Sequence, residues 1–259
     1  MSFTKKTHGC EFFFTAHHAQ SVSIKCERGK SKVPTLEENK ARFLELCGLI
    51  KRNGIADLIN WLESSDFFVA PASSRFHGCY AGGLLEHSLN VYKNMDKLVK
   101  SHDELTDYFS FISRDGNIDE TVAIVALFHD LCKVYLYKPE KRNRKNEAGQ
   151  WESYDAYGYD ELFKFGGHGS KSVYIVQNFI KLTPEEATAI NCHMGAFGAD
   201  AQSVGSAFEA CPLAWLLSVA DQEASYLDEG FMKNKREIWS SRMKWTDEFE
   251  TRVCCGADG

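Results

Sequence analysis

Histidine and aspartate side chains stand at positions in this sequence that suit metal ligands. Most of them share the apolar face of a predicted helix, where a carboxylate is costly unless it is paired or metal-bound. The set comprises His87, His129, Asp130, His168, His193 and Asp221. Imidazole and carboxylate ligands together suit Fe, Mn, Co, Ni or Zn, and this set suffices for two ions that share a bridging carboxylate. A core histidine with satisfied hydrogen bonds explains any one of these positions, but it does not explain all of them together.

Helical periodicity predicts the elements that must bring these side chains together. His87 lies three residues after Leu84 and four before Val91, so it shares their buried stripe. Asp221 lies four residues after Leu217 and is predicted to face the core in the same way. Capping and turn signals start the predicted helices near Thr35, Ile55, Gly83, Asp119, His168, Pro184 and Pro212.

Composition and charge exclude several classes of protein. The 259 residues are 44% hydrophobic and 25% charged, a globular profile that excludes a fibrous or mostly disordered chain. A net charge of −6 provides no general basic surface for wrapping duplex nucleic acid. The apolar runs are too short to span a membrane, and the N-terminus lacks the apolar stretch of a signal peptide. We therefore expect a cytoplasmic protein with no membrane partner, whose nine cysteines are reduced thiols.

One region has the composition of β-structure. The runs 134–137 and 151–154 are aromatic or β-branched, and they predict the two strands of a hairpin. The charged stretch 138–150 is predicted to be the loop that joins them. Its cations include Lys141, Arg142 and Arg144. Because this stretch falls between two of the predicted ligands, it is a candidate lid for a polyanionic substrate over the metal cleft. A solvated hairpin tip explains the same charges equally well.

The order of these motifs resembles the HD superfamily of metal-dependent phosphohydrolases. Segment 77–89, which reads HGCYAGGLLEHSL, is similar to the first-ligand motif of the branch that includes the YhaM-type 3′–5′ exoribonucleases. The segment His129-Asp130-Leu131-Cys132-Lys133 matches the motif after which the superfamily is named. The later ligand positions are matched by Gly167-His168, Cys192-His193-Met194 and Ser218-Val219-Ala220-Asp221. The resemblance covers roughly residues 65–230, most of the chain.

The resemblance implies a fold and a ligand set. The fold is an all-α HD-domain bundle of about eight helices with one small β-hairpin near the metal cleft. It is expected over residues 35–245, between a poorly ordered or irregular N-terminal extension (1–34) and a C-terminal tail (246–259). The first ion would be held by His87, His129, Asp130 and Asp221. Asp130 would bridge to a second ion held by His168 and His193, so one or two divalent ions of Fe, Mn, Co, Ni or Zn are expected.

Catalytic and substrate-binding roles follow from the same motifs. A water between two cations loses its proton near neutral pH and becomes a nucleophile, so Asp130 and Lys133 are the predicted catalytic residues. Lys133 is also placed to clamp a phosphate, although a solvated lysine at a helix C-terminus is the alternative. In the loop before the first-ligand helix, Arg75 is a candidate phosphate ligand and His77 a candidate substrate or supporting residue. The further substrate candidates are the hairpin cations Lys141, Arg142 and Arg144.

These residues predict a metal-dependent phosphohydrolase that acts on a nucleotide or on a short single-stranded nucleic-acid end. No segment resembles an OB-fold barrel, which separates the chain from the two-domain exoribonucleases and favours a small nucleotide. Two alternatives stay open. An HD-fold mixed-valence di-iron oxygenase uses nearly the same ligands, and a non-catalytic signalling module would keep the fold without needing every ligand.

Overall fold

The structure is a computed structural model that describes residues 34–113, 116–146, 148–160, 166–197 and 201–229. Residues 1–33 of the predicted extension and the whole predicted tail at 246–259 lie outside the described residues. The domain boundaries therefore stay predictions.

Nine α-helices and one β-hairpin make up most of the regular structure of the described residues. The helices are α1 (Leu36–Cys47), α2 (Ile55–Ser64), α3 (Gly83–Ser101), α4 (Thr106–Ile112), α5 (Ile118–Phe128), α6 (His168–Gln177), α7 (Pro184–Cys192), α8 (Ala201–Ala210) and α9 (Pro212–Glu223). Short 3₁₀ turns lie at Asp103–Leu105, Leu131–Lys133 and Gly195–Phe197, and a π-helical turn lies at Ala224–Asp228. The predicted all-α class with a single hairpin is confirmed.

Two helix starts that the sequence predicts are built as capping boxes. At α1, the Glu38 amide donates to Thr35 Oγ1 (3.2 Å), and the Thr35 amide donates to Glu38 Oε2 (2.6 Å). At α7, Thr183 and Glu186 exchange the same pair of bonds at 3.2 and 2.9 Å, with Pro184 at the first helical position. Each box satisfies amides that the first turn leaves unpaired.

Two helices, α4 and α8, were not predicted. The α4 sequence TDYFSFI is short and rich in aromatic residues that favour strands, and the α8 sequence AQSVGSAFEA contains a glycine and serines. No side chain caps the N-terminus of α4, so its local helix signals are weak. Their helical state depends on packing, because α4 contacts α5 and α8 contacts α7 and α9.

The predicted helix at 119–133 is shorter than expected. It ends at Phe128, and Asp130 leaves the helical region with φ −109° and ψ 20°. A 3₁₀ turn follows, in which the Lys133 amide donates to the Asp130 carbonyl oxygen (3.0 Å). This break brings the Lys133 ammonium back to the Asp130 carboxylate.

The hairpin differs from its predicted strand bounds. Strand β1 spans Tyr137–Lys145 and pairs antiparallel with β2, Trp151–Tyr159, from Tyr137↔Tyr159 to Lys145↔Trp151. The charged stretch is therefore mostly strand, and the predicted loop at 138–150 was wrong. Cross-strand pairs such as Lys141–Asp155 (2.6 Å) compensate its charges. The predicted first strand at 134–137 is instead largely a turn, since Tyr135 has φ 56° and the Leu136 amide bonds the Lys133 carbonyl.

The core centres on α5, which is buried at every residue from Glu120 to Phe128. Helices α3 and α7 pack against α5, and α9 packs against both α3 and α7. Among the described residues no single helix has the length and apolar composition to cross a membrane, although Gln202–Ala210 and Pro212–Asp228 meet that criterion as a pair bent by 116°. The cysteines in the described ranges, Cys47, Cys79, Cys132, Cys192 and Cys211, are free thiols, as predicted.

Candidate metal centre

Four core helices bring five of the six predicted ligands into one buried cluster. It comprises His87 on α3, His129 and Asp130 at the end of α5, His193 at the end of α7, and Asp221 on α9. Their exposed fractions are 0%, 0%, 3%, 1% and 9%. His87 Nε2 lies 3.2 Å from His129 Nε2 and 3.1 Å from Asp221 Oδ1. The same four helices also contribute apolar side chains to the hydrophobic core.

Asp130 stands between the two halves of this cluster. Its Oδ2 lies 3.4 Å from both His87 Nε2 and His129 Nε2, while its Oδ1 lies 3.5 Å from His193 Nε2. Donor atoms within 4.8 Å of one another form three sets that could each hold an ion. Two of them meet at Asp130: His87 with His129 and Asp221, and His129 with Asp130 and His193. The third is His77 with His87 and Glu229, on the other side of the His87 ring. The Asp130 carboxylate therefore faces the first two sets, as a bridging ligand must.

Backbone contacts orient two of the imidazoles. His129 Nδ1 lies 2.9 Å from the Ala126 carbonyl oxygen, and His193 Nδ1 lies 2.7 Å from that of Ile190. Because a carbonyl only accepts, Nδ1 carries the proton in each ring and Nε2 keeps its lone pair. His193 Nε2 is buried without a hydrogen-bond partner. The inward-facing lone pair of His193 Nε2 has no donor, so it suits a cation. In metal-binding histidines the other ring nitrogen donates to a carbonyl or carboxylate in the same way.

The carboxylates of the cluster are held in their ionised form. Burial raises the pKa of Asp130, but the Lys133 ammonium and the His129 ring outweigh burial and hold this pKa well below its usual range. Lys133 Nζ lies 2.6 Å from Asp130 Oδ2. The whole Lys133 residue is 8% exposed. Burial also raises the pKa of Asp221, and the contact with His87 outweighs it, so this pKa is lowered too. Metal binding requires this deprotonated state.

His168 is the predicted ligand that does not join the cluster. It is the first residue of α6 and is exposed, and its Nδ1 lies 3.5 Å from Cys132 Sγ. That sulfur in turn lies 3.9 Å from Asp130 Oδ1. Within the described ranges, no potential ligand group includes His168. Its role as a ligand of a second ion stays a prediction.

The predicted residues of the preceding loop have different surroundings. His77 is adjacent to it, since its ring centroid is 4.9 Å from that of His87 and its Nε2 lies 3.4 Å from Ser225 Oγ. Burial lowers the pKa of His77 to about 4, and nearby positive charge, including that of Lys133, adds to this effect. Arg75 is exposed and lies over the Phe76 ring, 5.8 Å from its centroid.

The hairpin begins at the edge of the cluster, four residues after Lys133, but its cations are compensated. Lys141 pairs with Asp155, Arg142 with Glu140, and Arg144 with Glu152. Arg142 also donates from Nη2 to the Tyr157 carbonyl oxygen (3.0 Å). These partners remove most of the net positive charge that the sequence pattern attributes to the predicted lid.

Sequence reasoning missed Glu229. Its Oε1 lies 2.9 Å from His87 Nδ1, and its side chain is fully buried. It follows the π-helical turn after α9, where no capping or periodicity signal points to a contact with α3. The carboxylate was therefore not recognisable from spacing alone.

Comparisons with known proteins agree with the position of the cluster. Residues 84–225 match the sequence profile of the HD domain family, a range that contains all five clustered residues. The chain is also 33% identical over 93 residues to the dihydroneopterin 2′,3′-cyclic phosphate phosphodiesterase of Methanocaldococcus jannaschii. That match spans 36% of this chain and 32% of the length of the relative. No solved structure gave a significant match. The predicted likeness to YhaM-type exoribonucleases is not confirmed.

Proposed function

Because this chain belongs to the HD domain family, we propose that it is a metal-dependent phosphohydrolase that cleaves a phosphoester of a nucleotide or of a short single-stranded nucleic-acid end. The observation that carries the proposal is the buried Asp130 carboxylate, with one oxygen toward His87 and His129 and the other toward His193. A buried carboxylate is costly unless it is paired or metal-bound, and the Lys133 ammonium contacts only Oδ2, which leaves Oδ1 toward His193.

The ligand assignment follows the two halves of the cluster. His87, His129, Asp130 and Asp221 would hold a first divalent ion, and Asp130 with His193 would contribute to a second. His168 would complete the second set only if α6 or its side chain moves closer to Asp130. Imidazole and carboxylate donors suit Fe, Mn, Co, Ni or Zn. When bound, such ions lower the pKa of a coordinated water and offset charge on a phosphoryl group.

Lys133 has two roles in this proposal. Its ammonium donates to Asp130 Oδ2 at 2.6 Å, which keeps the carboxylate ionised and fixes its orientation. An ammonium has three donors, so two remain for a phosphoryl oxygen at the edge of the cluster. His77 lies beside His87 and would be the second residue to contact the substrate.

A small substrate is favoured over a long strand. Most of the hairpin cations are paired with carboxylates, and the chain has a net charge of −6, so the described part of the hairpin offers no long basic track to a polyanion. The relative from Methanocaldococcus jannaschii acts, by its name, on a 2′,3′-cyclic phosphate. A cyclic phosphodiester of a nucleotide is therefore the first substrate class to assay.

The test is hydrolysis by the metal-depleted protein after addition of Mn²⁺ or Co²⁺. Bis(p-nitrophenyl) phosphate and 2′,3′-cyclic nucleotides serve as substrates, under air and under anaerobic conditions. We expect turnover that requires the ion but not oxygen, and a loss of about 100-fold or more in His129→Ala and Asp130→Ala. His102→Ala is the matched control, since His102 pairs with Glu104 and Trp215 away from the cluster.

Other outcomes would identify the alternatives. Turnover that depends on oxygen would favour the di-iron oxygenase. Tight metal binding without any turnover would favour the signalling module. Metal content and activity that are unchanged in both cluster variants would contradict the site assignment itself.

A further inference from the structure

We propose that Glu229 is a positioning residue that orients His87 for metal binding, and that the π-helical turn before Glu229 places it there. The inference rests on the metal centre of the proposed function but not on the reaction catalysed.

The two ring nitrogens of His87 face different partners. Nδ1 lies 2.9 Å from Glu229 Oε1, while Nε2 faces the cluster, 3.1 Å from Asp221 Oδ1. A proton on Nδ1 that is donated to Glu229 leaves the Nε2 lone pair toward the ion. A carboxylate behind a ligating imidazole fixes the tautomer and ring orientation and makes the ligand more basic.

Glu229 is not explained as a packing residue. Its side chain is fully buried, and Oε2 has no hydrogen-bond partner. Asn90 Nδ2 donates to Oε1 at 3.1 Å, so both neighbours on α3 converge on one oxygen. A half-satisfied buried carboxylate destabilises a fold unless a specific partner compensates it, and here that partner is His87.

The π-helical turn decides which residue reaches His87. The Glu229 amide bonds the Ala224 carbonyl oxygen at 2.9 Å, a bond that spans five residues instead of four. A π turn is in effect a one-residue insertion into an α-helix. Glu229 therefore takes the place that residue 228 would have on a continuous helix, two turns beyond Asp221 and on the same face. Asp221 and Glu229 then both face His87.

The neighbouring carboxylate, Asp228, provides a matched comparison. Its Oδ2 accepts from Asn94 Nδ2 (2.8 Å) and from Lys93 Nζ (3.1 Å). Asp228 therefore ties the same turn to the same helix but contacts none of the proposed ligands. A role that only anchors the segment would be shared by Asp228 and Glu229, whereas an orienting role belongs to Glu229 alone.

The experiment measures the dissociation constants of Mn²⁺ and Co²⁺ for the full-length chain by competition with a chromophoric chelator. Three variants are compared: Glu229→Ala, Glu229→Gln and Asp228→Asn. We expect Glu229→Ala to weaken binding by about 10- to 100-fold, Glu229→Gln to recover part of the loss because its amide oxygen still accepts from Nδ1, and Asp228→Asn to change binding by less than about threefold. The visible absorption spectrum of the Co²⁺ form should shift only in the Glu229 variants.

The outcomes separate the two proposals. Wild-type protein that binds neither ion would overturn the metal centre and this inference together. Wild-type binding with unchanged constants in Glu229→Ala would overturn the inference alone. Equal weakening in Asp228→Asn would also overturn it, since an anchoring role would then suffice. If circular dichroism shows that Glu229→Ala is unfolded, Glu229→Gln decides, and binding equal to wild type without a spectral shift counts against the orienting role.

Discussion

At the scale of single residues, Asp130 has polar contacts at both oxygens of its carboxylate. Its carboxylate contacts three imidazoles and the Lys133 ammonium while it is 3% exposed. Isolated buried carboxylates are neutralised by proton uptake, but here the Lys133 ammonium holds the pKa of Asp130 well below its usual range. The cluster is thus a charged interior held together by its own pairs.

Removing Lys133 should destabilise the metal-free protein in a pH-dependent way. Lys133→Met leaves Asp130 with less compensation, so we expect a loss of about 3–5 kcal/mol in the free energy of unfolding at neutral pH. The lowered pKa of Asp130 contributes stability above its unfolded value near 4, which is lost as the pH falls through the folded pKa. The variant raises that folded pKa, so its acid-unfolding midpoint should move to higher pH.

Urea titrations with chelator present, from neutral to acid pH, measure both effects. Lys100→Met is the control, because Lys100 forms a surface pair with Asp96 (2.7 Å) with 68% of its side chain exposed. That control should lose less than about 1 kcal/mol. Coincident acid midpoints for Lys133→Met and wild type would show that Lys133 does not compensate Asp130.

At the scale of elements, polar side-chain contacts link α5 and α7 at both ends. Their C-terminal ends carry His129 and His193 of the cluster. At the N-terminal ends, Arg52 from the α1–α2 connection donates to both oxygens of Glu186 on α7, at 2.6 and 2.7 Å, and lies 3.5 Å from Glu120 on α5. This fully buried network holds the helices that present the ligands.

Breaking the Arg52 network should lower the free energy of unfolding without removing the metal ligands. Arg52→Met leaves the Glu186 carboxylate buried, so we expect a loss of about 3–5 kcal/mol in the free energy of unfolding. The network and the ligands lie at opposite ends of the same helices. Because substitutions at well-separated sites act nearly independently, the folded variant should keep its metal affinity. Chemical denaturation and the chelator competition measure the two quantities.

Arg42→Met is the control for the Arg52 variant. Arg42 pairs with Glu45 on the surface of α1, with 52% of its side chain exposed, and its removal should cost less than about 1 kcal/mol. Similar losses in the two variants would contradict a structural role for the buried network.

At the scale of the whole molecule, charge argues against tight binding of long nucleic acid. The net charge is −6, and the hairpin that follows Lys133 has most of its cations paired with carboxylates. Exposed aromatic rings remain on the same hairpin, including Trp151 at 71% and Tyr159 at 62%. Lys145 lies over the Trp151 ring, so these rings are partly engaged within the hairpin.

Hydrolysis should therefore depend weakly on salt. For a dinucleotide or a cyclic nucleotide we expect kcat/KM to fall less than about tenfold between about 50 and 200 mM NaCl, whereas a protein with six to ten phosphate contacts loses about 10³–10⁵ in affinity over that range. Parallel assays with a dinucleotide and a 20-mer measure the difference. A steep salt dependence confined to the 20-mer would instead indicate a strand-binding surface.

Local signals were sufficient for much of the architecture. Thr35 and Thr183 start helices because their caps bond amides only three residues away, so the outcome depends on neighbouring residues. His87 and Asp221 were recognisable because a polar side chain on an apolar helical stripe has to face the core. The family motif added the order in which the ligands occur, and the family is established by the match over residues 84–225.

Contacts between distant segments decided the rest. The charged stretch 138–145 becomes a strand because Asp155 and Glu152 stand opposite its cations, which no local propensity encodes. His168 stays at the edge of the cluster because the start of α6 contacts Cys132 rather than Asp130. Glu229 reaches His87 across 142 residues of sequence through one π-helical turn. Side-chain type and helical period are properties of short segments, whereas the distance between two segments depends on how the whole core packs.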